Sequence, residues 1–533
     1  MSRPEYQTAD QMIRGRLGDR NVGVLFEDQR YSWDEHARAS ATRAALALDL
    51  RRNGPFHIGF LMENIPELTF WLGAGAVSGA TMVGINPTRQ GNELATDIRH
   101  TDCQLIVTES ALLPLLSGLD IGVAADRILV VDEASYAQRC RPYESAGFPD
   151  SEAPGDATAL LLFTSGTAGA PKAAIVTQQR ITRYGRTISE SQGLDAASVC
   201  YQAMPMFHSN ALFAGWSPAV YVGASMALRR RFSASGFIDD VRKFGATFFN
   251  YVGKPLSYIL ATPSRLDDRD NTLQRVLGNE GTELDLRRFS ERFGVPVTDN
   301  YGSTEGGVTV MRVPDQPKGV LGRPPEGVFV VDSETGERCP VAELDADGVL
   351  LNAEECIGEI VNTTGGGSFE GYYNNTEANA ARTRNGWYWS GDLGYVDADG
   401  WLHFAGRDYD WLRVDGENFA SAPVERIIGR FPDVVLVAVY AVPATDVGDD
   451  VMVALQLEPG RRFDAAAFDE FLGQQRDLGV KWSPRYVRIT EELPVTHTSK
   501  ILKRQLRTEG WQCADPVWWR PARGQPLRPI TTG

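Results

Sequence analysis

The chain is 533 residues long, room for about three to four units of about 150 residues each, so a minimal binding module is excluded. Hydrophobic residues at 43%, charged residues at 23% and aromatics at 10% match packed globular proteins and argue against collagenous, coiled-coil or disordered architecture. A formal net charge of −16 repels polyanions, which argues against nucleic acid as the main partner.

From the N-terminus, Met1-Ser-Arg-Pro-Glu-Tyr-Gln has no apolar run behind its single arginine and does not read as a secretory signal. The six cysteines (Cys103, Cys140, Cys200, Cys339, Cys356 and Cys513) form no C-x-x-C pair and have no histidine at metal-ligand spacing. Neither a disulfide framework nor a zinc site is expected, and a reducing, cytoplasmic address fits. Residues 68–88 and 196–228 lack charge, but glycines, prolines and polar side chains interrupt both runs. They are predicted to be buried helices and strands of a large α/β core, not membrane spans.

Short Val/Ile/Leu-rich runs at 104–107, 127–131, 159–163 and 247–251 alternate with longer helical patterns, which predicts α/β architecture with largely buried sheets. After Arg407 the units shorten. Strands are predicted at 434–442, 451–457 and 485–489, and a helix beginning near Asp464 puts Phe468, Phe471 and Leu472 on one face. The expected division is therefore 1–406, followed by a smaller α+β domain at 407–533. The Pro/Arg/Gly-rich end, 520–533, is predicted to be a loosely packed tail.

The strongest local pattern is Leu161-Leu-Phe-Thr-Ser-Gly-Thr-Ala-Gly-Ala-Pro-Lys172, a buried strand running into hydroxyls, glycines and a lysine. Small residues let backbone N–H groups approach a phosphate, hydroxyls add donors, and the lysine adds a point charge. It is not a Walker A loop: Pro171 precedes the lysine, and Ala173 follows where a Mg²⁺-binding hydroxyl is needed. An ordinary surface turn uses the same residue types, so both readings stand on the loop alone.

Thr164-Ser-Gly-Thr-Ala-Gly-Ala-Pro-Lys172 resembles the phosphate loop of the adenylate-forming superfamily of acyl-CoA synthetases, luciferases and nonribosomal-peptide adenylation domains. Further matches follow in the family's order: Tyr301-Gly-Ser-Thr-Glu305, Trp389-Ser-Gly-Asp392, Gly406-Arg407, Gly416-Glu-Asn418 and Pro494-Val-Thr-His-Thr-Ser-Lys500. Met204-Pro-Met-Phe-His-Ser209, Tyr372-Tyr-Asn-Asn-Thr-Glu377 and Leu412-Arg-Val-Asp-Gly-Glu-Asn418 are most similar to the very-long-chain acyl-CoA synthetase and fatty-acid-transport-protein branch. Within that branch the chain resembles actinobacterial ligases for fatty acids and steroid side-chain carboxylates. The resemblance implies a large N-terminal adenylate-forming domain of stacked sheets with helices, and a small, mobile α+β C-terminal domain.

It also implies a ligase that uses ATP, Mg²⁺ and coenzyme A to turn a large hydrophobic carboxylic acid into its acyl-CoA through an acyl-adenylate. By resemblance, Thr164, Ser165, Gly166, Thr167, Gly169 and Lys172 hold the β- and γ-phosphates, and Glu305 binds Mg²⁺. Thr304 contacts the α-phosphate, Gly278, Asn279, Glu280, Asn300 and Tyr301 frame the adenine, and Asp392 with Arg407 holds the ribose. The alternative for Tyr301 is a packed core aromatic. Lys500 is the expected catalytic cation of adenylation, reaching the attacking carboxylate and the α-phosphate.

The superfamily uses one site twice, rotating the small domain between half-reactions about a hinge two residues after Arg407. Gly416, Glu417 and Asn418 then line the pantetheine path, unless they form only a tight turn. Three departures weaken the match: Ala168 for a hydroxyl residue, Tyr409 at the hinge, and Ser499 for the glycine before Lys500. Phe207, His208, Asn210, Phe213, Trp216 and Gly306 are the candidate acyl-pocket residues. His208 is read as pocket wall or gate, because a carboxylate nucleophile needs no base near pH 7. The rivals are a fatty acyl-AMP ligase serving a carrier protein, and an acyl-binding or uptake protein without catalysis. An acid this apolar leaves room for peripheral membrane contact.

Overall fold

The computed structural model describes residues 5–164, 172–313, 316–317, 319–345, 350–365, 367–407, 411–414, 417–444, 449–475, 478–479, 481–495, 501–522 and 524–530. They form two compact units, Met1–Gly306 with Ser368–Ala381, and Gly307–Gly367 with Arg382–Gly533. The expected boundary at 406/407 falls inside the second unit.

The first unit contains two sheets with helices. One has seven strands in the order Val297–Asp299, Arg275–Asn279, Phe248–Val252, Val199–Gln202, Ser225–Leu228, Val22–Phe26 and Gln29–Ser32, parallel except for the last hairpin. The other has six, Ile128–Val130, Cys103–Thr108, His57–Leu61, Thr81–Gly84, Thr158–Phe163 and Ala173–Thr177, again parallel up to a closing hairpin. Each strand run predicted in this half lies on a strand of one of these sheets, which gives the predicted α/β class. Runs this apolar follow from burial on both faces.

The charge-free stretches are core. Helix Pro66–Ser78 opens on a proline, is buried on nearly every side and stops at Gly79, whose φ of +70° ends it. Residues 196–228 supply two parallel strands, a π-helical segment Ala211–Trp216 and the helix Ser217–Val222. Buried Asn64 staples the turn after Val199–Gln202. Its Nδ2 donates to the Met204 carbonyl at 2.9 Å and to the Arg229 carbonyl at 3.2 Å, while its Oδ1 accepts from Met206 N at 3.0 Å. That turn lies so close to Thr81–Gly84 that a Cβ on Gly84 would sit 2.8 Å from the Phe207 carbonyl oxygen.

Ser368–Ala381 extends the six-stranded sheet at its hairpin edge: Ile175 N donates to the Gly371 carbonyl and Tyr373 N to the Ala173 carbonyl, both at 2.9 Å. No helix among the described residues is long and apolar enough to cross a membrane.

The second unit holds an antiparallel sheet in which Trp387–Val396 lies between Gly358–Asn362 and Leu402–Arg407. Further on, Val434–Pro443, Asp449–Leu457, Tyr486–Thr490, Val517–Trp519 and Arg528–Pro529 form a mixed sheet. Its faces follow the period of two: Ala438, Tyr440 and Val442 enter one apolar cluster, Val439 and Ala441 the other. The helix Ala465–Gln474 is capped by Asp464, whose carboxylate accepts from Ala466 N and Ala467 N. It buries Phe468 and Leu472.

The loosely packed tail expected at 520–533 is not what the described residues show. Arg520 pairs with Asp469 at 2.8 Å and donates to the Pro484 carbonyl, and Leu527 N donates to the second Asp469 oxygen at 2.9 Å. Composition misleads here because Arg520 finds a carboxylate on the helix Ala465–Gln474 and Leu527 finds an apolar socket, and neither partner is local. Leu527→Ala is expected to cost about 2–3 kcal/mol, read as a lowered urea midpoint. An unchanged midpoint would restore the loose tail.

Candidate active site

The glycine-rich loop joins two buried antiparallel strands, Thr158–Phe163 and Ala173–Thr177. The half-buried Thr164 and Lys172 close the hairpin at its mouth, Thr164 N donating to the Lys172 carbonyl at 3.0 Å. Ser165, Gly166, Thr167, Ala168 and Gly169 lie outside the described residues.

The candidate adenine segments meet at the ends of two parallel strands of the seven-stranded sheet. Asn300 N donates to the Gly278 carbonyl at 2.8 Å, and Asn279 Nδ2 to the Asn300 carbonyl at 2.5 Å. Gly278 is needed where it stands, since a Cβ would lie 2.3 Å from the Tyr251 ring. Glu280 takes a φ of +66°, a conformation that non-glycine residues rarely adopt. Asp299 braces the turn that follows by accepting from Gly281 N and from the Tyr251 hydroxyl. Tyr301 is half-buried.

Three residues further on, the loop carries Thr304, Glu305 and Gly306. Thr304 Oγ1 lies 2.7 Å from Ser209 Oγ, and its carbonyl accepts from Arg180 Nη2 at 2.5 Å. Glu305 is buried, with Oε1 accepting from the Tyr372 hydroxyl at 2.7 Å. Gly306 has a φ of +71°, and a Cβ there would meet Arg180 Nη2 at 2.6 Å.

Among the described residues no group of three or more His, Cys, Asp or Glu forms a metal cage. A single buried carboxylate nevertheless fits Mg²⁺, which takes few protein ligands and completes its shell with substrate phosphates and water. Glu305 has that character.

Of the acyl-pocket candidates, Phe207 is buried and its ring lies 4.3 Å from the half-buried His208 ring. Asn210 is tied to the strand Phe248–Val252, donating to the Tyr251 carbonyl at 2.9 Å and accepting from Asn250 Nδ2 at 2.8 Å. Phe213 stacks on Tyr184 with centroids 4.3 Å apart, and Trp216 is packed in the core.

In the second unit, Trp389-Ser-Gly-Asp392 lies on a strand whose register shifts against both neighbours, a device that re-aims a side chain. The Trp389 ring is buried, Gly391 has a φ of +70° and donates to Glu359 Oε1 at 2.7 Å, and Ser390 Oγ donates to the Ile360 carbonyl at 2.6 Å. Half-buried Asp392 follows this turn, with its backbone directly across the ladder from Arg407.

The side chains of Arg407, Glu417 and Asn418, and residues Tyr409, Gly416, Ser499 and Lys500, lie outside the described residues. On either side of Lys500 the chain is paired. Val495 bridges Ile501, Leu502 N donates to the Pro494 carbonyl at 2.8 Å, and Lys503 Nζ reaches Ser421 Oγ at 2.7 Å and Glu425 Oε1 at 2.9 Å.

Sequence reading passed over Arg180, Ser209 and Tyr372 as site residues. For Arg180 a signal existed: it shares a helical face with Ile181, Tyr184, Gly185 and Ile188, and a charge amid that apolar face calls for partners.

Paired Asn/Gly strand ends and a buried carboxylate beside a threonine lie together in the first unit. The model of the family described as AMP-binding enzyme matches residues 15–373, and the chain belongs to that family. It is an AMP-forming acid–thiol ligase, making acyl-CoA through an acyl-adenylate with ATP, Mg²⁺ and coenzyme A.

The chain is 49% identical over 526 residues to the steroid-22-oyl-CoA synthetase of Rhodococcus jostii (strain RHA1), covering 98% of this chain and 94% of that protein. It is 47% identical over 511 residues to a medium/long-chain fatty acid CoA ligase of Mycobacterium marinum, covering 96% and 97%. The ATP-bound MatB structure from Rhodopseudomonas palustris shares the fold, with a TM-score of 0.81 at 21% identity over 94% of this chain and 98% of that one.

Proposed function

We propose that the acid is large and hydrophobic, in first place a steroid side-chain carboxylate. The observation that carries this is the 49% identity to the Rhodococcus jostii synthetase over nearly the whole chain. In this reading the charge-free stretch holding Phe207, His208, Asn210, Phe213 and Trp216, of which Phe207, Phe213 and Trp216 are buried, forms the apolar wall for the acid. A medium- or long-chain fatty acid is the second reading, favoured by the 47% identity to the Mycobacterium marinum ligase. Because such acids partition into bilayers, the proposal includes peripheral membrane contact by a cytoplasmic protein.

In the first half-reaction a carboxylate oxygen bonds to the α-phosphorus of ATP and pyrophosphate leaves with the electron pair of the broken P–O bond. Both reactants are anions, so the protein's work is positioning and charge neutralisation. In this reading Thr164, Ser165, Gly166, Thr167, Gly169 and Lys172 hold the β- and γ-phosphates, and Thr304 donates to the α-phosphate. Gly278, Asn279, Glu280, Asn300 and Tyr301 frame the adenine, and Asp392 with Arg407 takes the ribose hydroxyls. Glu305 would hold Mg²⁺, which when bound would neutralise charge at the phosphates. Lys500 places its ammonium between carboxylate and α-phosphate.

In the second half-reaction the thiol of coenzyme A gives up its proton, its sulfur bonds to the acyl carbon, and AMP leaves with the electron pair of the broken C–O bond. Gly416, Glu417 and Asn418 line the approach, with the hinge at Tyr409.

The test is mass spectrometry of products formed with ATP, Mg²⁺ and coenzyme A from steroid acids of short and long side chain and from medium- to very-long-chain fatty acids. Thioesters of steroid acids in preference support the first reading, and thioesters of fatty acids alone move it to the second. Acyl-adenylate without thioester would still name the acid but would point to another acceptor or to a stalled hinge at Tyr409.

A further inference from the structure

Thr304 is gripped at two atoms by residues to which the motifs assign no role. Its Oγ1 lies 2.7 Å from Ser209 Oγ, and its carbonyl accepts from Arg180. The Arg180 side chain is wholly buried, donates through Nη1 to the Ile175 carbonyl at 3.1 Å, and lies 5.5 Å and 5.8 Å from the Phe213 and Tyr184 ring centroids. It therefore fixes the backbone of Thr304 to the sheet. Ser209 is placed with equal firmness, since its neighbour Asn210 is bonded to both Tyr251 and Asn250 at the entrance of the π-helical segment, a feature frequent at functional sites.

A hydroxyl has one proton and two lone pairs. If Thr304 donates to Ser209, it has no proton left for a phosphate oxygen. If Ser209 donates to Thr304 Oγ1, the Thr304 proton is turned away from Ser209, and the bond it then makes is strengthened by the one it accepts. We propose that Ser209 is a positioning residue for adenylation: it donates to Thr304 Oγ1 and so aims the Thr304 proton at the α-phosphate, on a backbone that Arg180 holds still. The proposal rests on the phosphate role given to Thr304 above.

The full chain is assayed in two ways, by acid-dependent exchange of pyrophosphate into ATP for the first half-reaction, and by thioester formation from added acyl-adenylate for the second. Ser209→Ala is expected to lower the exchange kcat about tenfold, the scale of one oriented hydrogen bond. The KM for the acid and the thioester step are expected to stay at their starting values, and Ser209→Thr, which keeps the hydroxyl, restores exchange. On a Thr304→Ala background, Ser209→Ala is expected to cause no further loss, because the two act as one unit. Normal exchange in Ser209→Ala, or a further tenfold loss in the double variant, overturns the proposal. Normal exchange in Thr304→Ala overturns the phosphate role of Thr304 itself, an outcome readily told apart from the other two.

Discussion

Lys500→Ala is expected to lose acid-dependent adenylation by about a hundredfold to a thousandfold, the scale of removing one preorganised electrostatic group from a transition state. A carboxylate attacking the α-phosphate brings two anions together, so negative charge crowds where no substrate atom can neutralise it. A lysine ammonium is a compact point charge that stays protonated near neutral pH and can serve both partners at once. Thioester formation from added acyl-adenylate is expected to continue in the same variant, because the acyl carbon already carries its leaving group. Equal losses in both half-reactions would remove Lys500 from its proposed role and point to a general defect of the small domain. The described residues on either side are paired, Val495 with Ile501 and Lys503 with Ser421 and Glu425.

Glu305→Gln is expected to raise the Mg²⁺ concentration needed for adenylation by about a hundredfold or more, with part of the rate recovered at saturating Mg²⁺. Replacement of a mere outer-shell partner already costs about 10-fold to 100-fold in metal affinity. The substitution removes the charge but keeps the shape, and the amide oxygen can still accept from the Tyr372 hydroxyl that now reaches Oε1 at 2.7 Å. Folding is thus preserved and the metal effect isolated. Tyr372→Phe leaves the carboxylate charged but removes this hydrogen bond to it and is expected to shift the same titration about tenfold. A Mg²⁺ titration unchanged in Glu305→Gln would move the metal role to another group.

Much of the architecture was legible because it is written locally. Runs such as Thr158–Phe163 and Phe248–Val252 are apolar on both faces because their sheets are buried on both faces. The alternation in Val434–Pro443 is the pleat of a strand with two different clusters on its two sides. The glycine-rich stretch after Phe163 and the Tyr301–Glu305 segment stood out as motifs for the same reason, as each is continuous in the chain. Arg180, Ser209 and Tyr372 were not, because each acquires its meaning from a partner 124, 95 or 67 residues away. The tail misled in the same manner, as Arg520 and Leu527 depend on Asp469.

The amino-acid sequence by itself determined the α/β class, the order of the strands along the chain, and the contiguous motifs that mark a nucleotide-activating ligase. Tertiary structure decided which hydroxyl faces Thr304, which phenol holds Glu305 and what pins the C-terminal segment. Propensity and burial pattern act between near neighbours, whereas a hydrogen bond between distant residues is set by the path of the whole chain.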